Sequence, residues 1–314
     1  MMIALLATGG TVSAIQDLNG EYKAGVLGVD ELLKGVDGLL KFERIQAEQI
    51  ANIDSCDMSD EIWLKLAKRC EELLPKVQSI IITHGTDTME ETAFFLSLVL
   101  KAEKSIILTG SMRPYNSLSF DGTKNIYNAF VLANSKAKGV MITMNDKIFS
   151  PKMVSKTHTV NVDAFEFGEL GFILGDEVKF HRQNLPPTSL NFELSSLKFL
   201  PRVDILYTYS NDGLGIAAKA LFENGTQGIV VAGSGCGNIH NAQKTVLKEL
   251  LKKGLKVVVS SRVKEGFVSL SQEDRNLGFI QAGCLNPQKA RVLLMLLLAQ
   301  GADNEKISNA FNII

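Results

Sequence analysis

Short, unbroken runs of apolar residues recur along the chain and predict buried strands. In the first half of the chain these runs lie at Met2–Ala7, Ile45–Ile53, Ser79–Thr83, Ser105–Leu108 and Val140–Met144. Because apolar and polar residues do not alternate within them, the runs are typical of parallel strands that helices cover on both faces.

Between these runs, apolar residues recur with the period of a helix. In Ser59–Leu74 they fall on one stripe, as in an amphipathic helix. A further helix is predicted to begin at Thr88, because Thr88 and Glu91 match the capping-box pattern ahead of an apolar segment. Strands that alternate with helices in this way predict an α/β fold.

The alternation lapses between residues 182 and 201, a segment with three prolines and no clear period. It then resumes, with strands predicted at 204–207, 228–232 and 256–260, helices at 214–222 and 242–252, and a last long helix that begins after Asn286 and Pro287. We therefore predict two α/β domains. The larger N-terminal domain (1–190) has a mainly parallel, doubly wound sheet, a linker covers 191–202, and the smaller C-terminal α/β domain covers 203–314.

Polar residues follow the predicted strands, at the positions where an open parallel sheet binds its ligands. The strand ends carry ATGGT at Thr8 to Thr11, IDSCD at Ser55, THGTD at Thr86 and Asp87, TGS at Ser111, and TMND. Glycine beside threonine or aspartate is also ordinary turn chemistry. Three of these ends carry glycine beside hydroxyls and are directed at one crevice, which nevertheless favours a binding or catalytic site.

A threonine hydroxyl becomes a good nucleophile only when a base takes its proton. A lysine can be that base where its surroundings disfavour the charged form. Lys152 and Lys156, on the polar stretch SPKMVSKTHTVNVD, are the candidates, although each also fits an ordinary surface charge.

Composition and charge argue against several other classes of function. The 314 residues are 46% hydrophobic and 21% charged, with a net charge of −1, so nothing favours nucleic acid or an anionic membrane as partner. The start MMIALLATGG lacks the basic region and cleavage site of a signal peptide. It is predicted to be a first strand in a cytoplasmic protein, or in a periplasmic one if a leader has been removed. Four scattered cysteines without a CxxC pair indicate reduced thiols.

No cofactor or metal is predicted. The segment GIVVAGSGCGN resembles a dinucleotide-binding loop but carries Asn238 where the last glycine of GxGxxG would stand. The four histidines are scattered, and there is no HExxH motif.

Eight motifs, in order and over nearly the whole chain, resemble the bacterial-type L-asparaginases: ATGGTVSA, SCDM, ITHGTDTMEETAFFL, GSMRP, FDGTKNIYNA, MND, VSKTHTVNVDAF and LNPQKARVLL. The pair TGGT and HGTDTMEETA is highly specific. The resemblance implies an amidohydrolase that converts L-asparagine to L-aspartate and ammonia without a cofactor, often with weaker action on L-glutamine.

The resemblance also implies a role for each matching residue. Thr11 is the nucleophile, and Tyr22 lies on a mobile loop that closes over it. Thr86, Asp87 and Lys156 form a second hydroxyl–base cluster, and backbone N–H groups around Thr86 are candidates to bind the oxyanion. Which of the two threonines attacks first is left open by the sequence.

The implied substrate contacts are Ser55, Thr86 and Asp87 for the α-carboxylate and α-amino groups, with Asn238 and Glu273 from the second domain. The sequence departs from the family pattern near them. Cys56 stands where the family usually has Gln or Ser, Cys236 replaces a frequent Asn, and the segment that contains Glu273 is short. These changes leave open the choice between asparagine and glutamine.

The family implies a homotetramer, a dimer of dimers in which the C-terminal domain of one subunit completes the site of another. Two alternatives remain at this point: an amino-acid sensor that binds without turnover, and the amidase subunit of a tRNA-dependent amidotransferase. The amidase subunit carries an extra domain ahead of TGGT, which begins here at residue 8, so it is the less favoured.

Overall fold

The parallel strands predicted in the first half of the chain assemble side by side in one sheet, in a computed structural model that describes residues 2–17, 19, 21–23, 25–35, 44–181 and 190–314. The chain divides into two units, Met1–Pro187 and Thr188–Ile314. The strands of the first unit are β1 Met2–Gly9, β2 Ile15–Gln16, β3 Tyr22–Lys23, β4 Arg44–Ile53, β5 Ser79–Thr83, β6 Ser105–Thr109, β7 Gly139–Met144, β8 Lys147–Phe149, β9 Ser155–Lys156, β10 Phe165–Glu166, β11 Glu169–Leu174 and β12 Glu177–Phe180. Its helices are α1 Val29–Lys34, α2 Asp60–Leu73, α3 Met89–Val99 and α4 Gly122–Ala133.

The main sheet has eight strands in the order β12-β11-β8-β7-β6-β5-β1-β4. Strands β4, β1, β5, β6 and β7 are parallel, which confirms the five strands that the apolar runs predicted. The chain crosses from β1 to β4 on one side and returns to β5 on the other side of β1. The order therefore reverses beside β1, and the loops after β1 and β5 flank the point where open α/β sheets bind ligands.

The antiparallel strands β8, β11 and β12 extend this sheet and were not predicted. They are short, and part of their apolar surface stays exposed, so no buried run marks them: Leu174 is 66% exposed. TMND is therefore a hairpin turn between β7 and β8 and not the exit of a strand into a crossover. Asn145 and Asp146 occupy it with φ of 48° and 66°, as a two-residue hairpin turn requires.

The two predicted helices of the first unit are confirmed, but one of the predicted caps is wrong. Ser59 caps α2, accepting a hydrogen bond from Ile62 N at 3.4 Å. Thr88 precedes α3 without a side-chain cap, because its φ and ψ of −119° and 13° are not those of a capping residue. The Thr88 hydroxyl has a different partner, described below.

The second unit holds four parallel strands in the order β13-β14-β15-β16, which are β13 Val203–Tyr207, β14 Gly228–Gly233, β15 Lys256–Ser261 and β16 Phe279–Gln281. Its helices are α5 Leu214–Glu223, α6 Asn241–Lys252, α7 Gln272–Asn276, α8 Pro287–Ala299 and α9 Asn304–Ile313. Asn286 caps α8, accepting from Lys289 N at 2.9 Å, with Pro287 as its first residue, as predicted. The prediction that this helix is the last one is wrong, since α9 follows it.

Each sheet has its own apolar core. In the first unit the core includes Leu5, Ile81, Ile107 and Phe130, all fully buried between the sheet and its helices. Among the described residues, no helix has the length and apolar character that crossing a membrane requires. The two units confirm an α/β fold with a larger, mostly parallel N-terminal sheet and a smaller C-terminal one.

Candidate active site

Glycines bring the loops after β1, β4 and β5 into direct contact. Gly9 and Gly10 have φ of 102° and 81°, in the region that favours glycine. A Cβ on Gly10 would lie 2.3 Å from Gly85 Cα, and one on Gly85 would lie 2.7 Å from Ser55 Oγ. Larger residues would push these backbones apart, so the glycines of TGGT and HGTD set how closely the neighbouring hydroxyls approach.

The two candidate threonines follow these glycines at the carboxyl edge of the sheet. Thr11 is half-buried and begins a short 3₁₀ turn, Thr11–Ser13, with one residue between it and the end of β1. Thr86 follows β5 and is 4% exposed. Because β1 and β5 are paired neighbours, the structure brings the two residues to adjacent positions beside β1, where the strand order reverses.

Lys156 reaches this edge from β9. Its Nζ donates to Thr86 Oγ1 at 2.8 Å and lies 2.5 Å from Asp87 Oδ1. The lysine side chain is 16% exposed and that of Asp87 is 61% exposed. Within the described part of the chain Lys152 makes no hydrogen bond or ion pair. The structure therefore places Lys156, and not Lys152, in contact with Thr86.

Glu90 holds the backbone that carries Lys156. It is buried in the first turn of α3, and its carboxylate accepts from Lys156 N at 2.7 Å and from Ser155 Oγ at 3.4 Å. The sequence patterns did not indicate Glu90, because an acidic residue in a first helical turn is ordinary. An acidic residue between the buried positions Met89 and Ala93 is the signal that could have found it.

Ser55 connects the loop after β4 to the start of α3. Its Oγ accepts from Asp87 N at 3.3 Å, and its carbonyl accepts from Thr88 Oγ1 at 2.8 Å. The Thr88 hydroxyl thus fastens Ser55 instead of capping the helix. The neighbouring Cys56 is exposed, and the negative charge of Asp54 is the main cause that raises the pKa of its thiol.

The TGS loop after β6 uses its polar groups internally. Ser111 Oγ donates to Arg113 O at 2.7 Å, and the Asp121 carboxylate accepts from Met112 N and Arg113 N, each at 3.0 Å. Ser111 is therefore a structural residue of this loop.

The segment that leads to Tyr22 is held at Gln16 by the Asn116 side chain. The Asn116 side chain accepts from Gln16 N and donates to Gln16 O, each at 2.8 Å, as a neighbouring strand would. The backbone of Tyr22 pairs with Gln16 in the β2–β3 hairpin. The Tyr22 side chain lies outside the described part of the structure.

Asn238 and Glu273 belong to the second unit. Asn238 is exposed and closes a turn after β14, where Ser234 N donates to Asn238 O at 3.1 Å. Glu273 is exposed on α7, next to Asp274, which forms an ion pair with Lys244 at 2.8 Å.

The assembled groups suit nucleophilic attack on a carbonyl carbon. The Thr86 hydroxyl is hydrogen-bonded to a lysine amine, and that amine pairs with a carboxylate at the start of a helix whose free N–H groups favour negative charge. The second threonine, Thr11, lies on the neighbouring loop. Among the described residues there is no group of three or more His, Cys, Asp or Glu that could hold a metal ion.

Comparisons with known proteins agree with this chemistry. A family profile described as "Asparaginase, N-terminal" matches residues 2–186, and one described as "Glutaminase/Asparaginase C-terminal domain" matches residues 202–311. The L-asparaginase 2 of Bacillus subtilis is 40% identical over 99% of this chain and 86% of its own length. A glutaminase-asparaginase of Pseudomonas fluorescens is 38% identical over 98% of this chain and 89% of its own length.

A solved structure is more similar still. The crystal structure of a probable cytoplasmic L-asparaginase from Campylobacter jejuni is 54% identical, covers 99% of each chain and superposes with a TM-score of 0.96. With both domain profiles matched in order and full-length relatives at this identity, the chain belongs to the asparaginase family.

Proposed function

We propose that this protein is an L-asparaginase, an amidohydrolase that converts L-asparagine to L-aspartate and ammonia. The observation that carries this function is the contact of Lys156 Nζ with Thr86 Oγ1, beside Asp87, at the edge where the TGGT loop ends. Relatives with this activity in their names match the chain over nearly its full length.

We assign Thr11 as the nucleophile. Its hydroxyl oxygen bonds to the side-chain amide carbon of asparagine, and the C–N bond then breaks as the nitrogen takes a proton and leaves as ammonia. Water then attacks the carbonyl carbon of the resulting ester, and the Thr11 oxygen takes back a proton and leaves. Thr86, Lys156 and Asp87 form the group that moves the proton, since Lys156 Nζ already lies within hydrogen-bond distance of Thr86 Oγ1 and of Asp87 Oδ1.

Substrate recognition follows from the charges at the site. The exposed carboxylate of Asp87 is suited to the α-ammonium group of asparagine, while Ser55 and Thr86 offer hydroxyls to its α-carboxylate. Tyr22 is assigned to the loop that covers the bound substrate. Asn238 and Glu273 are assigned as substrate contacts from the second domain.

Asparagine is the preferred substrate, and weaker glutaminase activity accompanies it. The glutaminase-asparaginase of Pseudomonas fluorescens is 38% identical to this chain over their aligned residues, so the fold is compatible with the longer amide. Cys56, beside Ser55, is the residue on which we expect the ratio of the two activities to depend.

We further propose a homotetramer, a dimer of dimers, with a catalytic domain at 1–190, a linker at 191–202 and a C-terminal domain at 203–314 that completes a neighbouring subunit's site. Support comes from the two sets of assigned substrate residues, which lie in different domains. A cytoplasmic location is proposed from the description of the Campylobacter jejuni protein.

Ammonia release tests the function. Purified protein is mixed with L-asparagine and, separately, with L-glutamine, and ammonia is measured over time with Thr11→Ala protein as the control. We expect release from both amides, with the larger kcat/KM for asparagine. Binding of L-asparagine without any ammonia would identify a sensor instead, and equal kcat/KM for both amides would overturn the stated preference.

A further inference from the structure

A buried chain of hydrogen bonds lies behind the candidate site. Trp63 Nε1 lies 2.8 Å from Thr92 Oγ1, which lies 2.9 Å from His84 Nε2, and His84 Nδ1 lies 2.7 Å from Gly85 O. Trp63 is 4% exposed, and His84 and Thr92 are fully buried. These hydrogen bonds thus connect α2, through α3, to the loop that carries Thr86.

The donor and acceptor groups at the two ends of this series of hydrogen bonds determine where each of its hydrogens lies. A carbonyl oxygen only accepts, so His84 Nδ1 carries the hydrogen and donates to Gly85 O. In a neutral imidazole Nε2 then accepts, and Thr92 Oγ1 donates to it. The Thr92 oxygen in turn accepts from the Trp63 indole, which can only donate. Burial lowers the pKa of His84 to about 4, which keeps the ring neutral.

These hydrogen bonds determine the direction of the Thr86 N–H. In a trans peptide the carbonyl and the N–H lie on opposite sides of the C–N bond, and no cis peptide occurs among the described residues. The Gly85 carbonyl is held toward His84, so the Thr86 N–H is directed away from it. In the described part of the chain that N–H donates to no acceptor, whereas the next one, Asp87 N, donates to Ser55 Oγ.

We propose that His84 is a positioning residue, which holds the Gly85–Thr86 peptide so that Thr86 N–H meets the oxyanion of the reaction. Thr92 and Trp63 act behind it by holding His84 in the required tautomer. The inference rests on the proposed function, because the oxyanion forms only when a hydroxyl oxygen bonds to the amide carbon and the C=O electron pair moves onto oxygen. Removing one oxyanion donor from an enzyme typically costs about a hundredfold or more in kcat, and we expect about tenfold for a donor that is merely misdirected.

Two substitutions of His84 separate positioning from packing. In His84→Asn the side-chain amide nitrogen falls near the place of Nδ1 and can still donate to Gly85 O. In His84→Gln it falls near Nε2 and can reach only Thr92. Both variants remove the ring, so both lose comparable packing, and thermal melting checks that each is folded.

For His84→Asn we expect kcat for L-asparagine within about threefold of wild type. For His84→Gln we expect a loss of about tenfold or more in kcat, with KM and the Kd for L-aspartate unchanged within about twofold. Equal kcat in the two variants, or a change confined to KM, would overturn the proposal. Wild-type protein in the same assay keeps the two hypotheses apart, since absence of ammonia there rejects the proposed function and not the role of His84.

A second pair of variants tests the role of Thr92. Thr92→Ser keeps the hydroxyl, whereas Thr92→Val keeps the shape and removes it. We expect Thr92→Ser to retain wild-type kcat and Thr92→Val to lose several-fold in kcat at unchanged KM. Wild-type kcat in Thr92→Val would show that the tautomer of His84 needs no support from Thr92, against the proposal.

Discussion

Lys156 Nζ donates a hydrogen bond to Thr86 Oγ1 at 2.8 Å, although the two residues are 70 positions apart in the sequence. The same nitrogen forms an ion pair with Asp87, the residue after Thr86. One amine therefore contacts both the hydroxyl of Thr86 and the carboxylate of Asp87. This arrangement allows proton transfer without movement of the backbone, because the partners are already in place.

Replacement of Thr11 by alanine tests the nucleophile. Thr11→Ala removes the atom that forms the covalent bond, so we expect kcat to fall by about a thousandfold or more, while the fold is kept. Ammonia release gives kcat, and circular dichroism with thermal melting monitors the fold. A variant with more than about a tenth of wild-type kcat would remove Thr11 from the role.

The two lysines of the SPKMVSK segment form a matched pair. Lys156→Met removes the amine that bonds to Thr86 but keeps much of the side-chain bulk, so we expect near-complete loss of kcat with L-aspartate binding retained. Lys152→Met removes an equal charge four residues away and is expected to leave kcat within about twofold. Near-normal turnover of Lys156→Met across pH would show that Lys156 is only a surface charge.

Glu90 is expected to act through Lys156. Glu90→Gln keeps the shape but puts an N–H donor where the carboxylate accepts from Lys156 N and Ser155 Oγ. We expect a fall of about tenfold in kcat with a loss of about 1–3 kcal/mol in the free energy of unfolding. The control is Glu103→Gln. The Glu103 side chain is 87% exposed, so this variant should change neither kcat nor the free energy of unfolding. If Glu90→Gln loses stability but keeps kcat, Glu90 is structural alone.

The buried His84 makes stability depend on pH. Its pKa is lowered from 6.5 to about 4 by burial, so in this interval the unfolded chain binds a proton that the folded protein does not. The free energy of unfolding should therefore fall as pH falls from 6.5 to 4, with about 3 kcal/mol of the loss due to this residue. Urea titrations at fixed protein concentration measure it, and His84→Asn should show a shallower slope. Identical slopes would mean that His84 is not the group responsible.

Mixed oligomers test whether each site is built from two subunits. Thr11→Ala and Asn238→Ala proteins are expected to be inactive, or nearly so, when each is assembled alone. In a hybrid dimer with an isologous contact, one site carries both defects and the other carries neither. Activity should therefore reappear after mild dissociation and mixing. Hybrids confirmed by mass spectrometry but without activity would place both residues of each site in one chain.

The apolar runs were sufficient to locate the parallel strands of the first sheet, because strands buried on both faces need unbroken apolar sequence. The antiparallel strands β8, β11 and β12 could not be located in this way, since Leu174 and Phe172 stay partly in solvent and no buried run marks the segment. The TMND segment was misassigned because β8 was not predicted, and the turn between β7 and β8 exists only when these two strands pair.

The sequence by itself determined which residue types stand at the strand ends, and with them the candidate nucleophile Thr11 and the family resemblance. The residue pattern alone left Lys152 and Lys156 open, and the resemblance named Lys156. Only the tertiary structure showed that Lys156 contacts Thr86, that the Thr88 hydroxyl donates to Ser55 O, and that Glu90 and His84 are partners of the site. The physical reason is the range of the interactions. Strand and helix periods are local properties of the chain, whereas a hydrogen bond between residues 70 positions apart exists only after the sheet has brought their loops together.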